Sequence, residues 1–571
     1  MPWRLRSLTS QTLSNICAEL HYDEDTDARN ALLSLARTCT LFYDHAMALL
    51  WQSLPHIGPL IFTMPADLWK VIIILGDNKG SLPNGHYISF VRPLLPSDFS
   101  RFVLYASRIR RLGGDRWEPS LRPLRPYRVS AGVYYALKDY RPSSPLIPNL
   151  EYLGWSGMQS RDPEVFRCLH MFYGSKLRTV KLKGPVVQAE EQAHAALRGL
   201  ARICPQIEEL QVNIGLYARF ALADVICGLH NLTRLCCENT AISLQPMMHL
   251  AALPALQILS INVSAISDPT QLSSTLDDGP QGKFVALRRL YISAWSVPIL
   301  TAFLNSIRSS KMIELTTVAQ EATSPEVAEE FFTALSLHCS SKQIRLLSFT
   351  FNVKQADQAD QADQPECALT NRTFLPLLAL PRVRKLVIDV NCSLHLDNDF
   401  LASMSHAWPF LWKFEFGLVR PWVQRSPQAT LAGLVPLAQN CKHLLSIGMA
   451  LDTRLRRRGF DLERRPGLGV CSASLQDIHV GGSMVEDPAA LAAYLSDLFP
   501  KLWWIGHSWP SEEDEGEHIQ EEWEMAERWR EVGRLVKAFV DIRQQERKWA
   551  ASADAQMATS SPSPGHSPME E

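Results

Sequence analysis

A short apolar phrase, in its ideal form Leu-x-x-Leu-x-Leu, recurs thirteen times along this chain of 571 residues. The residue three positions after the start is apolar in every copy, and the residue five positions after it is apolar or cysteine in eleven, the exceptions being Thr317 and His507. Successive side chains of a β-strand point to opposite faces, so these two positions lie on one face of a short strand. The copies begin at Leu150, Leu177, Ile207, Leu232, Leu256, Leu287, Met312, Ile344, Val383, Leu411, Leu444, Leu475 and Leu502.

The spacing of the copies predicts a repeat protein. The phrase returns every 24 to 39 residues, usually after a helix-like stretch such as residues 190–206. One short strand cannot bury its apolar face alone, but a stack of strand-and-helix units buries a continuous core. We therefore predict an α/β leucine-rich-repeat solenoid, with parallel strands on the concave side and helices on the convex side, whose curved surface holds a partner protein.

Composition narrows the class of partner and the compartment. Lys and Arg number 57 against 59 Asp and Glu, a net charge of -2, which gives no overall drive towards nucleic acid or an acidic membrane. The twelve cysteines include no C-x-x-C pair, which favours free thiols in a reducing compartment. The N-terminus has no secretory apolar run. We expect an intracellular protein, cytoplasmic or nuclear, that binds neither nucleic acid nor membrane.

Residues 8–54 ahead of the repeats have the pattern of three short helices. Two stretches carry apolar residues at the i, i+3, i+4 and i+7 positions of a helix, and a third carries Ala46, Leu49 and Leu50. About 45 residues bury too small a fraction of their surface to fold comfortably alone. This unit therefore needs a partner or a neighbouring domain. The two stripes are Leu13, Ile16, Cys17 and Leu20, then Leu32, Leu35, Ala36 and Cys39.

The stretch LTSQTLSNICAEL, followed by LLSLARTCTLFYDHAMALLWQSL, resembles an F-box. The resemblance implies a unit that docks on a Skp-type adaptor of a cullin ubiquitin ligase, with the repeats holding a protein target that the sequence does not identify. The residues that fall on the family's apolar positions, and so are implied to bind the adaptor, are Leu8, Leu13, Ile16, Leu20, Leu32, Leu35, Cys39, Phe42 and Trp51.

The rest of the chain resembles a large group of F-box proteins of mushroom-forming fungi. The segments that carry this likeness run in order, and the resemblance spans roughly residues 8 to 545. It implies an F-box followed by irregular leucine-rich repeats, and it specifies no substrate. The segments are PADLWKV at 65–71, RPLLPSDFSRFVLYASRIRRL at 92–112, PNLEYLGWSG at 148–157 and SLQDIHVGGSMVEDPAALAAYLSDLFPKLWWI at 474–505.

Five regions follow from these patterns. Ile109 with Leu112 is a candidate first, degenerate repeat strand, which would make the join between the helices and the repeats part of the stack. Two loops interrupt the repeats: Gln-Ala-Asp copies from Gln355 to Asp363, and an arginine-rich loop from Thr453 to Gly469. The regions are an F-box-like domain at 1–55, a helical linker with the first degenerate repeats at 56–148, the solenoid at 149–510, a capping helix at 511–550 and a disordered tail at 551–571.

The sequence offers no motif for catalysis or for a cofactor. Walker A, G-x-G-x-x-G, H-E-x-x-H and G-x-S-x-G patterns are absent, and the nearest look-alike, Gly154 to Gly157, lies on a predicted repeat strand. We expect a non-catalytic receptor subunit without cofactor or metal. The alternative is a stand-alone repeat scaffold with a decayed F-box, because Thr9 stands where the family usually has proline and Gln11 where it often has an acidic residue.

Overall fold

The computed structural model divides the chain into two compact units, Met1–Ser293 and Ala294–Glu571. The residues that the structure describes are 10–22, 26–38, 40–74, 85–114, 127–142, 144–155, 163–183, 190–213, 219–277, 283–338, 343–353, 369–390, 394–418, 427–454, 469–510 and 520–559.

The first unit begins with three helices, α1 (Ser10–Tyr22), α2 (Thr26–Thr38) and α3 (Thr40–Gln52). We call them the helical head. They lie where the apolar spacing predicts them, because that spacing gives each helix one face to bury. The partly buried residues Leu20, Leu35 and Trp51 pack against the core of the head. That core consists of Leu13, Cys17, Leu32, Phe42, Ala46 and Leu50.

Between the head and the regular repeats lies a small mixed sheet. Strand β2 (Trp69–Ile74) pairs antiparallel with β3 (Gly85–Phe90), and β5 (Tyr127–Val129) pairs parallel with β3. The sequence predicts helices and degenerate repeats over residues 56–148, and it does not predict this sheet. The β-branched run from Val71 to Ile74 in β2 favours a strand. The elements of this region are β1 (Ser53–Leu54), α4 (Gly58–Ile61), β2 (Trp69–Ile74), β3 (Gly85–Phe90), α5 (Phe99–Ala106), β4 (Arg111–Leu112), β5 (Tyr127–Val129) and α6 (Ala131–Tyr140).

The remainder of the first unit is a ladder of parallel strands with helices in the connections. The strands follow one another in the order β1-β4-β6-β7-β8-β9-β10-β11. Where the sequence analysis expects a degenerate strand near Leu112, β4 pairs with both β1 and β6. The regular strands are β6 (Tyr152–Trp155), β7 (Thr179–Lys183), β8 (Glu209–Asn213), β9 (Arg234–Ala241), β10 (Ile258–Asn262) and β11 (Arg289–Ala294). The connections contain a 3-10 helix (Pro163–Phe172), α7 (Glu190–Leu197), α8 (Leu200–Ile203), α9 (Arg219–Cys227), α10 (Leu244–Ala252) and α11 (Pro269–Asp277).

The second unit repeats this organisation with parallel strands in the order β12-β13-β15-β17-β18-β19-β20. These are β12 (Glu314–Thr323), β13 (Leu346–Val353), β15 (Lys385–Val390), β17 (Lys413–Phe416), β18 (Ser446–Gly448), β19 (Asp477–His479) and β20 (Trp504–Gly506). A separate parallel pair is formed by β14 (Leu369–Thr370) and β16 (Leu394–His395). The helices are α12 (Val297–Ser306), α13 (Pro325–His338), α14 (Asn371–Phe374), α15 (Asn398–Ala407), α16 (Leu434–Asn440), α17 (Pro488–Leu498) and α18 (Gln520–Thr559), with short 3-10 turns at Leu375–Ala379 and Leu431–Gly433.

The register of both ladders matches the apolar phrase. Each of the thirteen phrases carries a strand that begins two residues after the phrase starts. The residues three positions into each phrase pair directly with one another, as Leu153 does with Val180 and Leu347 with Leu386. First-position residues are buried throughout, and the polar exception Thr317 is buried as well. The prediction of a leucine-rich-repeat fold is confirmed in both units, because each copy of the phrase supplies one parallel strand and the buried residues beneath it.

The long helix α18 covers the last helix of the second ladder. Trp529 is fully buried, and its indole Nε1 donates a hydrogen bond of 2.8 Å to the carbonyl oxygen of Ser483. The guanidinium of Arg543 donates to the carbonyl of Ala493 on α17. A capping helix is expected here because the end of a repeat stack needs a polar outer cover. The helix runs to Thr559, past residue 550 where the sequence analysis starts a disordered tail.

Candidate interaction surfaces

The nine residues implied to bind an adaptor have different environments in the helical head. Leu8 and Cys39 lie outside the described residues. Leu13, Leu32 and Phe42 are buried in the core of the head, so they hold its helices together. Leu20, Leu35 and Trp51 are partly buried against that core. Ile16 is the member with an exposed side chain, at 39%. Adaptor binding by this set stays a prediction.

The head also exposes apolar side chains that the sequence analysis does not select. Leu33 on α2 and Leu41 on α3 are each 41% exposed, comparable with Ile16 on α1. Neither leucine belongs to the apolar stripe of its helix. This position off the stripe is the feature of the sequence from which their exposure could have been predicted. An apolar residue off the stripe of a small helical unit has no core to enter. Ile16, Leu33 and Leu41 are therefore called the exposed head residues.

The head joins the first ladder through backbone and side-chain contacts. Helix α3 runs directly into β1, and the Arg110 N–H donates a 2.9 Å hydrogen bond to the carbonyl of Gln52. The Trp51 ring lies 4.3 Å from the Tyr105 ring of α5, measured between centroids. Arg108 pairs with Asp44 of α3 at 3.1 Å. Strand pairing, ring contact and ion pair fix the head to the start of the ladder.

The outer face of each ladder, opposite the buried phrase residues, carries the alternate side chains of the strands. In the first unit this face holds an aromatic ring with cations above it. The Arg111 guanidinium lies 4.1 Å from the centroid of the Tyr152 ring, and the Lys181 ammonium lies 5.6 Å from it. Gly154 lies beneath the ring, since a Cβ there would come within 3.0 Å of Tyr152 Cε1. Such cation–ring contacts are attractive because the ring face is electron-rich.

The second unit carries a related arrangement at its last strand. A Cβ on Gly506 would overlap the Trp504 ring, so the indole lies across that glycine, and the ring is 44% exposed. The His479 ring on β19 lies 6.0 Å away between centroids. Strand pairing sets Asp477 beside Trp504, and in the row below it sets His479 beside Gly506. On β17, which lies two strands from β19, Lys413 and Glu415 form an ion pair of 2.8 Å.

Sequence reasoning missed both aromatic positions. The pattern that marks them is an aromatic residue at the first outward position of a repeat strand, with glycine two residues later, as in Tyr152-x-Gly154 and Trp504-x-Gly506. The apolar phrase specifies only the inward positions of a strand. Glycine matters here because the absence of a Cβ leaves room for the preceding ring to lie flat over the strand.

The cysteine thiols have the chemistry of core residues. Burial raises the pKa of Cys204 to about 12 and that of Cys441 to about 11, and it also raises the pKa of Cys237. These thiols stay protonated at neutral pH and are poor nucleophiles. Among the described residues no cluster of His, Cys, Asp and Glu is arranged to hold a metal ion.

Most of the two loops singled out by composition lies outside the described residues. The Gln-Ala-Asp copies lie outside the described residues, as do the arginines from Arg456 to Arg465. Arg454 is described, and its guanidinium makes a two-point contact with the carboxylate of Asp452, at 2.8 Å and 3.1 Å. This arginine is thus already paired within the chain. No helix within the described part of the chain is both long and apolar enough to cross a bilayer.

Comparison with known proteins gives only remote structural likenesses. No protein-family model and no curated protein matches this sequence. The crystal structure of the Rad7 and Elc1 complex in yeast is 11% identical, over 66% of this chain and 81% of that one, with a TM-score of 0.35. An internalin (inlF) from Listeria monocytogenes is 11% identical over 59% and 74%, with a TM-score of 0.30. The TLR13–ssRNA13 complex is 13% identical over 71% and 53%, with a TM-score of 0.32. At these values the likeness extends to neither activity nor partners.

Proposed function

We propose that this chain is a substrate-recognition subunit of an SCF-type ubiquitin ligase. The helical head docks on a Skp-type adaptor that is bound to a cullin, and the repeat ladders bind the protein to be modified. The observation that carries this proposal is the set of exposed head residues Ile16, Leu33 and Leu41, which the head cannot bury itself. It supports the F-box resemblance of the same segment. The chain itself catalyses nothing in this role.

An apolar docking surface explains why the head exposes these side chains. Burying a fully exposed leucine or isoleucine side chain is worth about 1.5–3 kcal/mol, and covering the part that each of these residues still exposes at an interface adds a share of that. Each of the three head helices carries one such residue, and α1 also exposes the polar residues Asn15 and Glu19. Protein interfaces of this kind concentrate their binding energy in a few anchors.

The join between head and ladder suits a receptor. Contacts of β1 with β4, and of Trp51 with Tyr105, hold the head in one orientation on the first unit. A fixed orientation keeps a target bound to this unit at a set distance from the adaptor. Transfer to an acceptor lysine gains from such positioning, because it raises the effective concentration of the reacting groups.

The test is adaptor capture by full-length variants. Ile16→Glu with Leu41→Glu places charge on the exposed head residues without touching the core, so the fold is kept. We expect at least a roughly tenfold loss of binding to a purified Skp-type adaptor, since charge in an apolar interface costs several kcal/mol. Leu337→Glu is the matched control, because this leucine of α13 is 74% exposed and lies outside the head. Unchanged capture by the head variant would overturn the proposal.

A stand-alone repeat scaffold is the second candidate. The observation that favours it is the integration of the head: Leu13, Leu32 and Phe42 form a closed core, and α3 continues into the first ladder strand. In this role the head is an N-terminal cover for the repeats. Removal of residues 1–55 then lowers the stability of the first unit and leaves partners of the second unit bound. Adaptor binding by the intact chain excludes this candidate.

A further inference from the structure

We propose that the outer face of β19 and β20 binds a basic side chain, preferably arginine, of the protein that the second ladder recognises. The Trp504 ring takes the cation on its face, and the Asp477 carboxylate pairs with it. This inference deepens the proposed function, on which it rests, by assigning the chemistry of the bound target. The site is called the Trp504 site, and it consists of Trp504, Asp477 and Gly506.

The strand register places Asp477 and Trp504 side by side on neighbouring strands. Asp477 and Trp504 are direct partners in parallel register, so both side chains leave the same face of neighbouring strands. Strands in a sheet are about 4.8 Å apart, which is the spacing at which one guanidinium can contact both groups. Because Gly506 has no Cβ, the Trp504 indole can lie across β20 beside His479. Trp504 is nevertheless 44% exposed.

The first unit contains the same arrangement with its cation in place. There Tyr152 lies over Gly154, and the residue that pairs with it in register is Arg111, whose guanidinium lies 4.1 Å from the ring centroid. In the second unit the residue in that position is Asp477. Within the described residues no arginine or lysine lies over the Trp504 ring. In the second unit, a cation from the target takes the position over the Trp504 ring that the Arg111 guanidinium has over the Tyr152 ring in the first unit.

The charges around the Trp504 site favour a positive ligand. Lys413 and Glu415 are engaged with one another at 2.8 Å. Among the residues that the structure describes, none makes an ion pair or a side-chain hydrogen bond with the Asp477 carboxylate. Burial, together with neighbouring His507, lowers the pKa of His479, so that imidazole adds no positive charge at neutral pH. One unpaired carboxylate remains beside an exposed ring. Arginine fits best because its planar guanidinium stacks on aromatic rings and pairs with carboxylates at the same time.

The experiment uses the full chain and two synthetic peptides. One is a capped Gly-Arg repeat with three arginines, and the other carries citrulline in place of each arginine, which keeps the shape and removes the charge. Binding is measured by fluorescence anisotropy at low ionic strength. We expect the arginine peptide to bind at least about tenfold more tightly than the citrulline peptide, a difference of the size that a cation–ring contact and a charge pair supply.

Variants then locate the binding. Trp504→Ala and Asp477→Asn should each remove most of the preference for arginine, whereas Trp504→Phe should keep part of it. The matched controls are Trp549→Ala and Asp541→Asn, two exposed positions on α18. Equal binding of the two peptides, or equal loss in variants and controls, would overturn the inference. Adaptor capture is measured on the same variants, because a chain that fails to bind the adaptor but still selects arginine contradicts the proposed function alone.

Discussion

A glycine beneath an aromatic ring is the residue-scale device that shapes the outer face of both ladders. At Gly154 the available space is limited by backbone atoms: an added Cβ would lie 2.7 Å from the Gly114 nitrogen and 2.9 Å from the Gly114 Cα. Gly114 lies just after the end of β4, and its backbone atoms cannot move aside as a flexible side chain can. Glycine is required at position 154 because two backbone segments of the chain approach each other closely, and not because of its conformational freedom.

Gly154→Ala should therefore destabilise the first unit. Overpacking against backbone costs about 1–3 kcal/mol, measured as the loss in free energy of unfolding by urea denaturation. Gly132→Ala is the matched control, because a Cβ at that position of α6 meets nothing within 4 Å. In a helix, alanine is favoured over glycine by about 0.5–1 kcal/mol, so the control should gain stability. Equal effects of the two substitutions would contradict the close approach.

His56 gives the first unit a defined sensitivity to acid. Burial lowers the pKa of its imidazole from 6.5 to about 4, and its Nδ1 accepts a hydrogen bond of 3.0 Å from the Gly58 N–H, which only an unprotonated Nδ1 can do. Between these two pH values the unfolded chain binds a proton that the folded chain does not. The contribution of His56 to stability is thus present above pH 6.5 and is lost as the pH falls towards 4.

The loss should reach about 3 kcal/mol, because each pKa unit corresponds to about 1.4 kcal/mol. His56→Gln should flatten the decline in unfolding free energy between pH 6.5 and pH 4. His406→Gln, at an exposed position of α15, serves as the control and should leave the wild-type decline unchanged. A parallel decline in the His56 variant and the wild type would show that His56 is not the group responsible.

Residue-level exposure in the head is the part of the candidate site that sequence patterns do not determine. Leu13 and Ile16 belong to one predicted stripe, yet Leu13 is 4% exposed and Ile16 is 39% exposed. Spacing of three residues places side chains on neighbouring parts of one helical face, and the angle at which other helices cross that face decides which of them is covered. Crossing angles depend on the side chains of all three helices at once.

At the scale of elements, the inward phrase predicted each of the thirteen repeat strands to within two residues of its start. The prediction works because each strand is specified locally, by the two or three apolar residues of its phrase, which face one core. The sheet of β2, β3 and β5 was not predicted, because Tyr127–Val129 joins a hairpin that lies about 40 residues earlier in the chain. Pairing over such distances leaves no periodic signal in either segment.

Helix α18 is predicted to be a structural cover, and the strength of that cover can be measured. Trp529→Ala removes a fully buried indole and its hydrogen bond to Ser483, which should cost about 3–5 kcal/mol of unfolding free energy. Trp549→Ala on the same helix is the control, since that indole is 60% exposed and should change stability by less than about 0.5 kcal/mol. If both variants unfold at the wild-type urea midpoint, α18 does not cover the ladder.

At the scale of the whole molecule, positive and negative charges nearly balance, and the two strand ladders offer separate local surfaces for binding. A net charge of -2 gives no long-range steering, so binding must come from particular surfaces. The chain offers a head with exposed apolar anchors and an outer ladder face with the Trp504 site. In the proposed receptor role, the apolar side chains of the head would bind the adaptor and the Trp504 site would bind the target, and these two surfaces differ in chemistry.

The most direct test of the receptor account is a calorimetric titration of the intact chain with a purified Skp-type adaptor. The account predicts one adaptor bound per chain with a Kd of about 1 µM or tighter, which corresponds to roughly 8 kcal/mol of binding free energy. It also predicts co-elution of the two proteins in size-exclusion chromatography. No heat of binding and no co-elution, with a folded chain and both proteins at about 10 µM, would contradict the account.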